Sequence, residues 1–213
     1  MKLYIVEGSN NCRKVQAVIA HLGLAVESVR LDLKAGEVRG AAYRAINPNG
    51  KVPALVDGDR VLWESNAIMV HLAEGAPGGT ALWPAAGADR IEVLRWLLWE
   101  GAHYNRWVGS FVYENVLKGV LGLGPPDPAP LAEAAQQFHR FAGVLDGHLA
   151  DGRPFLVGEQ VTLADFAVGS FSAWLAAGRV PVADHPHVAA WYRRLETVPA
   201  WAATLPPQAR AGD

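Results

Sequence analysis

Three short polar clusters in the first third of the chain hold the residues able to do chemistry. The first is Gly8-Ser9-Asn10-Asn11-Cys12, set between an apolar run and an amphipathic helical pattern. Four of its five residues carry small polar side chains or none, where the first N–H groups of a helix lack partners. A helix N-terminus attracts anions, thiolates included. Ser9 or Asn10 can equally serve as a plain helix cap. The second cluster is Asn49-Gly50-Lys51-Val52-Pro53. Proline is tolerated at the start of a strand, and a trans bond is its ordinary state. A cis Val52–Pro53 bond would turn the backbone of Val52 outward, its N–H and C=O able to pair with a peptide-like ligand. The third is Trp63-Glu64-Ser65-Asn66, where Ser65 reads as the N-cap of a helix carrying Ile68 and Leu72. An α-amino-acid head group would find N–H donors and the Ser65 hydroxyl for its carboxylate there. Glu64 would pair with its ammonium.

The elements around these clusters follow from hydrophobic spacing. Leu3-Tyr4-Ile5-Val6 reads as a buried strand. Val15, Val18, Ile19 and Leu22 mark one face of a helix that Gly23 ends. Residues 26–31 read as a second strand, parallel to the first. A short helix fits within residues 34–44, and Asn47-Pro48-Asn49-Gly50 is turn chemistry. Residues 53–56 and 60–63 form a hairpin across Asp57-Gly58-Asp59. A helix over about 65–74 closes the unit, giving the order βαβ, short helix, ββ, α.

Beyond residue 75 the pattern changes. Gly75-Ala76-Pro77-Gly78-Gly79 is the best linker candidate. After it only helical stripes remain: Ile91, Leu94, Leu98 and Ala102; then Leu131, Ala134, Phe138, Phe141, Leu145 and Leu149; then Val188, Trp191, Tyr192 and Leu195. Residues 122–130 are a Gly- and Pro-rich loop. Thr162-Leu163-Ala164-Asp165 has the spacing of a capping box, a structural helix start with no chemistry of its own.

Composition narrows the function classes. The chain has 213 residues, 51% of them hydrophobic, so a large core is affordable without staples. Lys plus Arg number 19 against 21 Asp plus Glu, so no basic excess exists for nucleic acid. No apolar stretch is long enough for a spanning helix, which disfavours a membrane location. Cys12 is the only cysteine, so no intrachain disulfide forms, which suits the cytoplasm. No P-loop, Gly-x-Ser-x-Gly elbow or His-Glu-x-x-His motif occurs, and no metal is expected. His185-Pro186-His187 lacks partners at ligand spacing and reads as a surface pair before a helix.

Taken together, the clusters give the chain a resemblance to the cytosolic glutathione S-transferases, of a bacterial, theta/phi-like serine type. It rests on Asn47-Pro48-Asn49-Gly50-Lys51-Val52-Pro53-Ala54-Leu55 followed by Glu64-Ser65-Asn66-Ala67-Ile68, on Leu82-Trp83-Pro84 and on residues 162–165. It covers nearly the whole length. It implies an α/β plus all-α fold: a thioredoxin-like glutathione-binding domain over 1–76, a linker over 77–87 and an all-helical domain over 88–213. It also implies a cis Val52–Pro53 bond, glutathione as co-substrate, a hydrophobic electrophile as second substrate, a role in detoxification and a two-fold homodimer.

The roles carry over by position. Ser9 would hold the glutathione thiolate and Asn11 would also aim at the sulfur, with Cys12 as the alternative. Val52 would pair with the cysteinyl part beside Pro53, Glu64 and Ser65 would hold the γ-glutamyl head, and Lys51 would reach the glycine carboxylate. His103, Tyr104 and Trp107, with Arg106, would line the second-substrate pocket, or serve as packing and surface residues. Val38 stands where many relatives carry His or Gln, Asn10 where many carry Pro, and Cys12 where beta-class relatives keep their cysteine. Three functions follow from these residues: conjugation through a thiolate held by Ser9, a Cys12-dependent thiol transfer or disulfide reduction, and a non-catalytic glutathione-binding module.

Overall fold

The computed structural model describes residues 1–207. The described chain forms two compact units, one of Met1–Trp83 joined by residues 199–207, the other of Pro84–Val198.

The first unit is a four-stranded sheet with helices packed on it. Its elements are β1 (Lys2–Ile5), α1 (Asn10–Leu22), β2 (Glu27–Arg30), a 3-10 turn over Glu37–Arg39, α2 (Ala41–Arg44), β3 (Ala54–Asp57), β4 (Arg60–Trp63) and α3 (Ser65–Glu74). The spatial strand order is β2-β1-β3-β4. β1 and β2 are parallel, with Leu3 opposite Ser28. β3 runs antiparallel to β1, Tyr4 facing Ala54, and β4 antiparallel to β3, Ala54 facing Trp63. Leu3, Val15, Val18, Leu55, Ile68 and Met69 are all fully buried. Each such aliphatic side chain contributes about 1.5–3 kcal/mol relative to exposure.

α1 is closed at both ends. Ser9 is extended and its Oγ accepts from the Cys12 N–H at 3.4 Å. Gly23 takes φ 63, and Leu24 N–H reaches back to Ile19 O at 3.1 Å. α3 begins differently from the sequence expectation. Glu64, not Ser65, is its cap residue, with φ 70 and ψ 110, and no side chain caps the helix. Ser65 is already helical because its hydroxyl is drawn to Asn11, as described below.

The second unit contains α4 (Ala88–Trp99), α5 (Asn105–Val112), α6 (Lys118–Val120), α7 (Pro128–Leu149), α8 (Leu163–Val168) and α9 (Pro186–Leu195). Two π turns, Glu100–Tyr104 and Tyr113–Leu117, interrupt the run from α4 to α6. Asn105 ties this run to α8: its Nδ2, with two protons to share, lies within hydrogen-bond distance of Glu100 Oε1, Ala167 O and Ser170 Oγ. The capping box at α8 is formed, with Asp165 Oδ2 accepting from both the N–H and the hydroxyl of Thr162. Among the described residues no helix is long and apolar enough to cross a membrane.

The α4 stripe named from the sequence faces outward. Ile91 and Leu98 are 63% and 66% exposed, whereas Val93, Trp96 and Leu97 are buried. Both sets obey helical spacing, so the helix is apolar on two faces and spacing cannot choose between them. The face bearing Trp96 packs inward because it removes more apolar area from water.

The unit boundary also differs from the 77–87 linker expected. Leu82 is fully buried, and Trp83 Nε1 donates to Glu74 Oε1 at 2.7 Å, so the stretch up to Trp83 is fastened to the first unit. The short helix α10 (Pro199–Ala202) belongs with that unit rather than with the helical one. The cause is Arg13 of α1. Its guanidinium lies 4.0 Å from the Trp201 ring centre and donates to Trp201 O at 3.3 Å, and Arg13 Nε donates to Thr204 Oγ1 at 3.4 Å.

Candidate functional site

Strand order alone gathers the three polar clusters. Tyr4 of β1, Ala54 of β3 and Trp63 of β4 sit in one row across the sheet. From that row the chain leaves β1 into the Ser9 loop, enters β3 from Pro53, and leaves β4 into Glu64 and Ser65. One edge of the sheet therefore collects two helix N-termini and one extended strand entrance.

The two helix starts are joined directly. Ser65 Oγ donates to Asn11 Oδ1 at 3.3 Å, across 54 residues of sequence. Ser65 is buried and Asn11 half-buried. Asn11 is thus engaged in holding Ser65, with its amide N–H groups as its remaining donors. Ser9 is half-buried, and its oxygen uses one lone pair on the Cys12 N–H, which leaves a hydroxyl proton to donate. Cys12 points inward and is 1% exposed. Burial pushes its thiol up to about 11, with the neighbouring Ser9 hydroxyl and the Val6 backbone pulling the other way.

The strand entrance is held from behind. The Val52–Pro53 bond is cis, as the resemblance implies. The carbonyl of Lys51 accepts from the Tyr43 hydroxyl and from Asn47 Nδ2, both at 2.6 Å. Asn47 is buried, and its Oδ1 accepts from the N–H of Asn49 at 3.1 Å. Burial raises the Tyr43 hydroxyl to about 12, so it stays a donor at neutral pH. Gly50 has φ +60, and a Cβ there would stand 3.0 Å from the Val38 carbonyl oxygen, so glycine is required. Among the described residues neither the N–H nor the C=O of Val52 has a hydrogen-bond partner. Asn47 and Tyr43 escaped the sequence reading, which took Asn47 only as turn chemistry. Its spacing of four from Lys51 was the available signal.

Several candidates are placed otherwise than their types suggest. Val38 is buried against Tyr43 and Ala54, a core residue rather than a pocket wall. Lys51 and Glu64 are exposed at the site edge. In the helical unit, Tyr104 is a core residue: fully buried, its ring stacks on Trp99 and its hydroxyl stands 3.4 Å from that of Tyr192. Of the two readings offered for it, packing or second-substrate pocket, its burial fits packing, at the end of the π turn Glu100–Tyr104. His103 is exposed and stacks on Phe141, and Trp107 is half-buried under the Arg106 guanidinium.

This arrangement has counterparts among known proteins. Residues 3–80 match the glutathione S-transferase N-terminal domain, and residues 128–194 match the glutathione S-transferase C-terminal domain. The chain is 38% identical to glutathione S-transferase 3 of Zea mays over 211 residues, covering 96% of this chain and 93% of that protein. The chain belongs to the glutathione S-transferase family. It is also 31% identical to glutathione S-transferase F9 of Arabidopsis thaliana, covering 91% of each. The crystal structure of glutathione transferase F7 from Populus trichocarpa superposes with a TM-score of 0.88 at 26% identity, covering 95% of this chain and 96% of that one. The family's fold, a thioredoxin-like sheet with helices followed by a helical domain, is the fold described above.

Proposed function

We propose that the protein is a glutathione transferase of the serine type, which ionises the glutathione thiol at the start of α1 and passes it to a hydrophobic electrophile. The observation that carries this reading is the row Tyr4–Ala54–Trp63, which sets Ser9, Val52 and Ser65 along one sheet edge. Glutathione has three matching parts. Its γ-glutamyl carboxylate meets the uncapped start of α3 and the Ser65 hydroxyl, which turns its one proton from Asn11 Oδ1 to the carboxylate, and its ammonium meets Glu64. Its cysteinyl backbone pairs with the open N–H and C=O of Val52, beside Pro53. Its glycine carboxylate meets Lys51.

The chemistry then needs no strong base. The thiol proton passes to water, and the Ser9 hydroxyl donates to the sulfur left behind. Lowering a thiol pKa by about two units takes about 2.7 kcal/mol, which one charge-assisted bond and a helix dipole supply. The thiolate forms a C–S bond to the electrophilic carbon, and the leaving group departs with its electron pair. Asn11 keeps the Ser65 side chain in place until its proton turns to the carboxylate, and can turn an amide N–H toward the same sulfur. The burial of Cys12 and its raised pKa favour this reading over thiol transfer through Cys12.

Retention on immobilised glutathione combined with turnover of a general electrophile tests the reading, and binding without turnover would leave only a glutathione-binding module. Ser65→Ala is expected to weaken glutathione binding by about 1–3 kcal/mol, since a bond to a charged carboxylate goes. An unchanged dissociation constant would remove α3 from the site.

The protein is proposed to work as a cytoplasmic homodimer, which also fits a detoxifying role. Ile91, Leu94 and Leu98 form one exposed apolar stripe on α4, and Val61 and Trp63 leave further apolar surface on β4. A two-fold dimer covers both, first unit against helical unit. Ile91→Glu with Leu98→Glu is expected to give a monomer by light scattering at micromolar concentration. A wild-type monomer at that concentration would end the proposal.

A further inference from the structure

From the geometry of His139 and His185 we infer a surface site for an imidazole-seeking divalent cation such as Zn2+ on the helical unit. His139 lies on α7, and His185 caps the start of α9. His139 Nδ1 and His185 Nε2 are 3.1 Å apart, and the ring planes are inclined by 38°. Two imidazole nitrogens each about 2.0–2.1 Å from one ion stand about 2.9 to 3.4 Å apart for angles between 90° and 109°. The pair is therefore already at chelating separation. The hydrogen bond now uses one lone pair on the other ring, and rotation about the soft χ2 of each ring turns both lone pairs to a shared ion.

The surroundings suit a metal ligand. Asp184 Oδ2 stands 3.9 Å from His139 Nε2, the nitrogen that would not bind the metal. That is ion-pair range and not a hydrogen bond; closing to one would fix the ring and strengthen the ligand, as a carboxylate on the far nitrogen of a metal-bound histidine does. Phe138 is fully buried and packs edge-on against His185 at 5.8 Å, which sets that ring's place. Burial and the neighbouring His139 lower the His185 pKa, with Asp146 and Asp184 opposing. Among the described residues no cluster of three or more ligating side chains exists, so water completes the coordination. Bound metal would tie α7 to the start of α9, 46 residues later.

Tag-free protein titrated with ZnCl2 at pH 7.5 tests this. Calorimetry is expected to show one Zn2+ held per chain by this pair, and NMR to show the imidazole signals of His139 and His185 shifting together. His139→Gln and His185→Gln should each weaken that binding by at least about tenfold, Asp184→Asn by less, and His187→Gln not at all. The inference is overturned if neither imidazole responds at millimolar Zn2+, or if His139→Gln and His185→Gln bind Zn2+ as the wild type does.

Discussion

Replacing Ser9 by Ala is expected to lower turnover about a hundredfold while glutathione affinity changes little, because a donor is lost only where charge resides on sulfur. The bound thiol should titrate one to two units higher, since a hydrogen bond to a charged group contributes about 1.5–3 kcal/mol and each pKa unit is about 1.4 kcal/mol. Thiolate absorbance of the bound glutathione reads this directly. Cys12→Ala is the matched control. Cys12 is buried on the inner face of α1, so its loss should cost a little stability and leave conjugation nearly intact. Should Cys12→Ala abolish activity while Ser9→Ala retains it, the thiol-transfer reading takes over.

The largest effect on stability is expected at Asp165, far along the chain from that chemistry. Its carboxylate accepts four bonds, from the N–H groups of Leu156 and Thr162, the Thr162 hydroxyl and Trp191 Nε1, all at 2.9–3.1 Å. Asp165→Ala strands three N–H donors in a fully buried place, and a loss of about 3–5 kcal/mol is expected in urea unfolding. A loss under about 1 kcal/mol would show that water replaces the carboxylate. A pH signature accompanies it. Burial lifts this carboxyl to about 6 from an ordinary 3.8, against the pull of its four donors. The folded state thus holds the proton more tightly between those values. The associated stability is full below about 3.8, falls as pH rises toward 6, and is flat above. Asp165→Asn should lack that slope, so the gap between the two proteins narrows from pH 4 to pH 7.

How far the site could be read from residues alone depends on whether the signal was local. The Ser9 loop, the hairpin at Asp57-Gly58-Asp59, the Gly23 cap and the Thr162–Asp165 box are each set by neighbours within a few residues, and all were legible. What escaped needs partners far apart in sequence. Ser65 looked like an N-cap because nothing near it reveals Asn11, 54 residues earlier. Ile91, Leu94 and Leu98 read as a helical stripe, but α4 is apolar on two faces, so the stripe alone did not say which face packs inward. Tyr104 stayed undecided between pocket and packing because its partners Trp99 and Tyr192 are not fixed by the sequence around it. His185 looked partnerless because His139 lies on another helix.

The return of the chain to its first unit has a consequence for synthesis. Arg13 reaches its full set of contacts only when Trp201 and Thr204 arrive. On a ribosome adding about 5–20 residues per second, Trp201 is made roughly 120 residues after Trp83, about 6 to 24 s later. During that interval the inner face of α1 carries a cation without its aromatic seat. The nascent first unit therefore has its sheet order before it has its final packing. The helical unit, whose residues are made in between, can complete itself first. The first unit, translated ahead of the helical one, gains its final packing only after the helical one has been made.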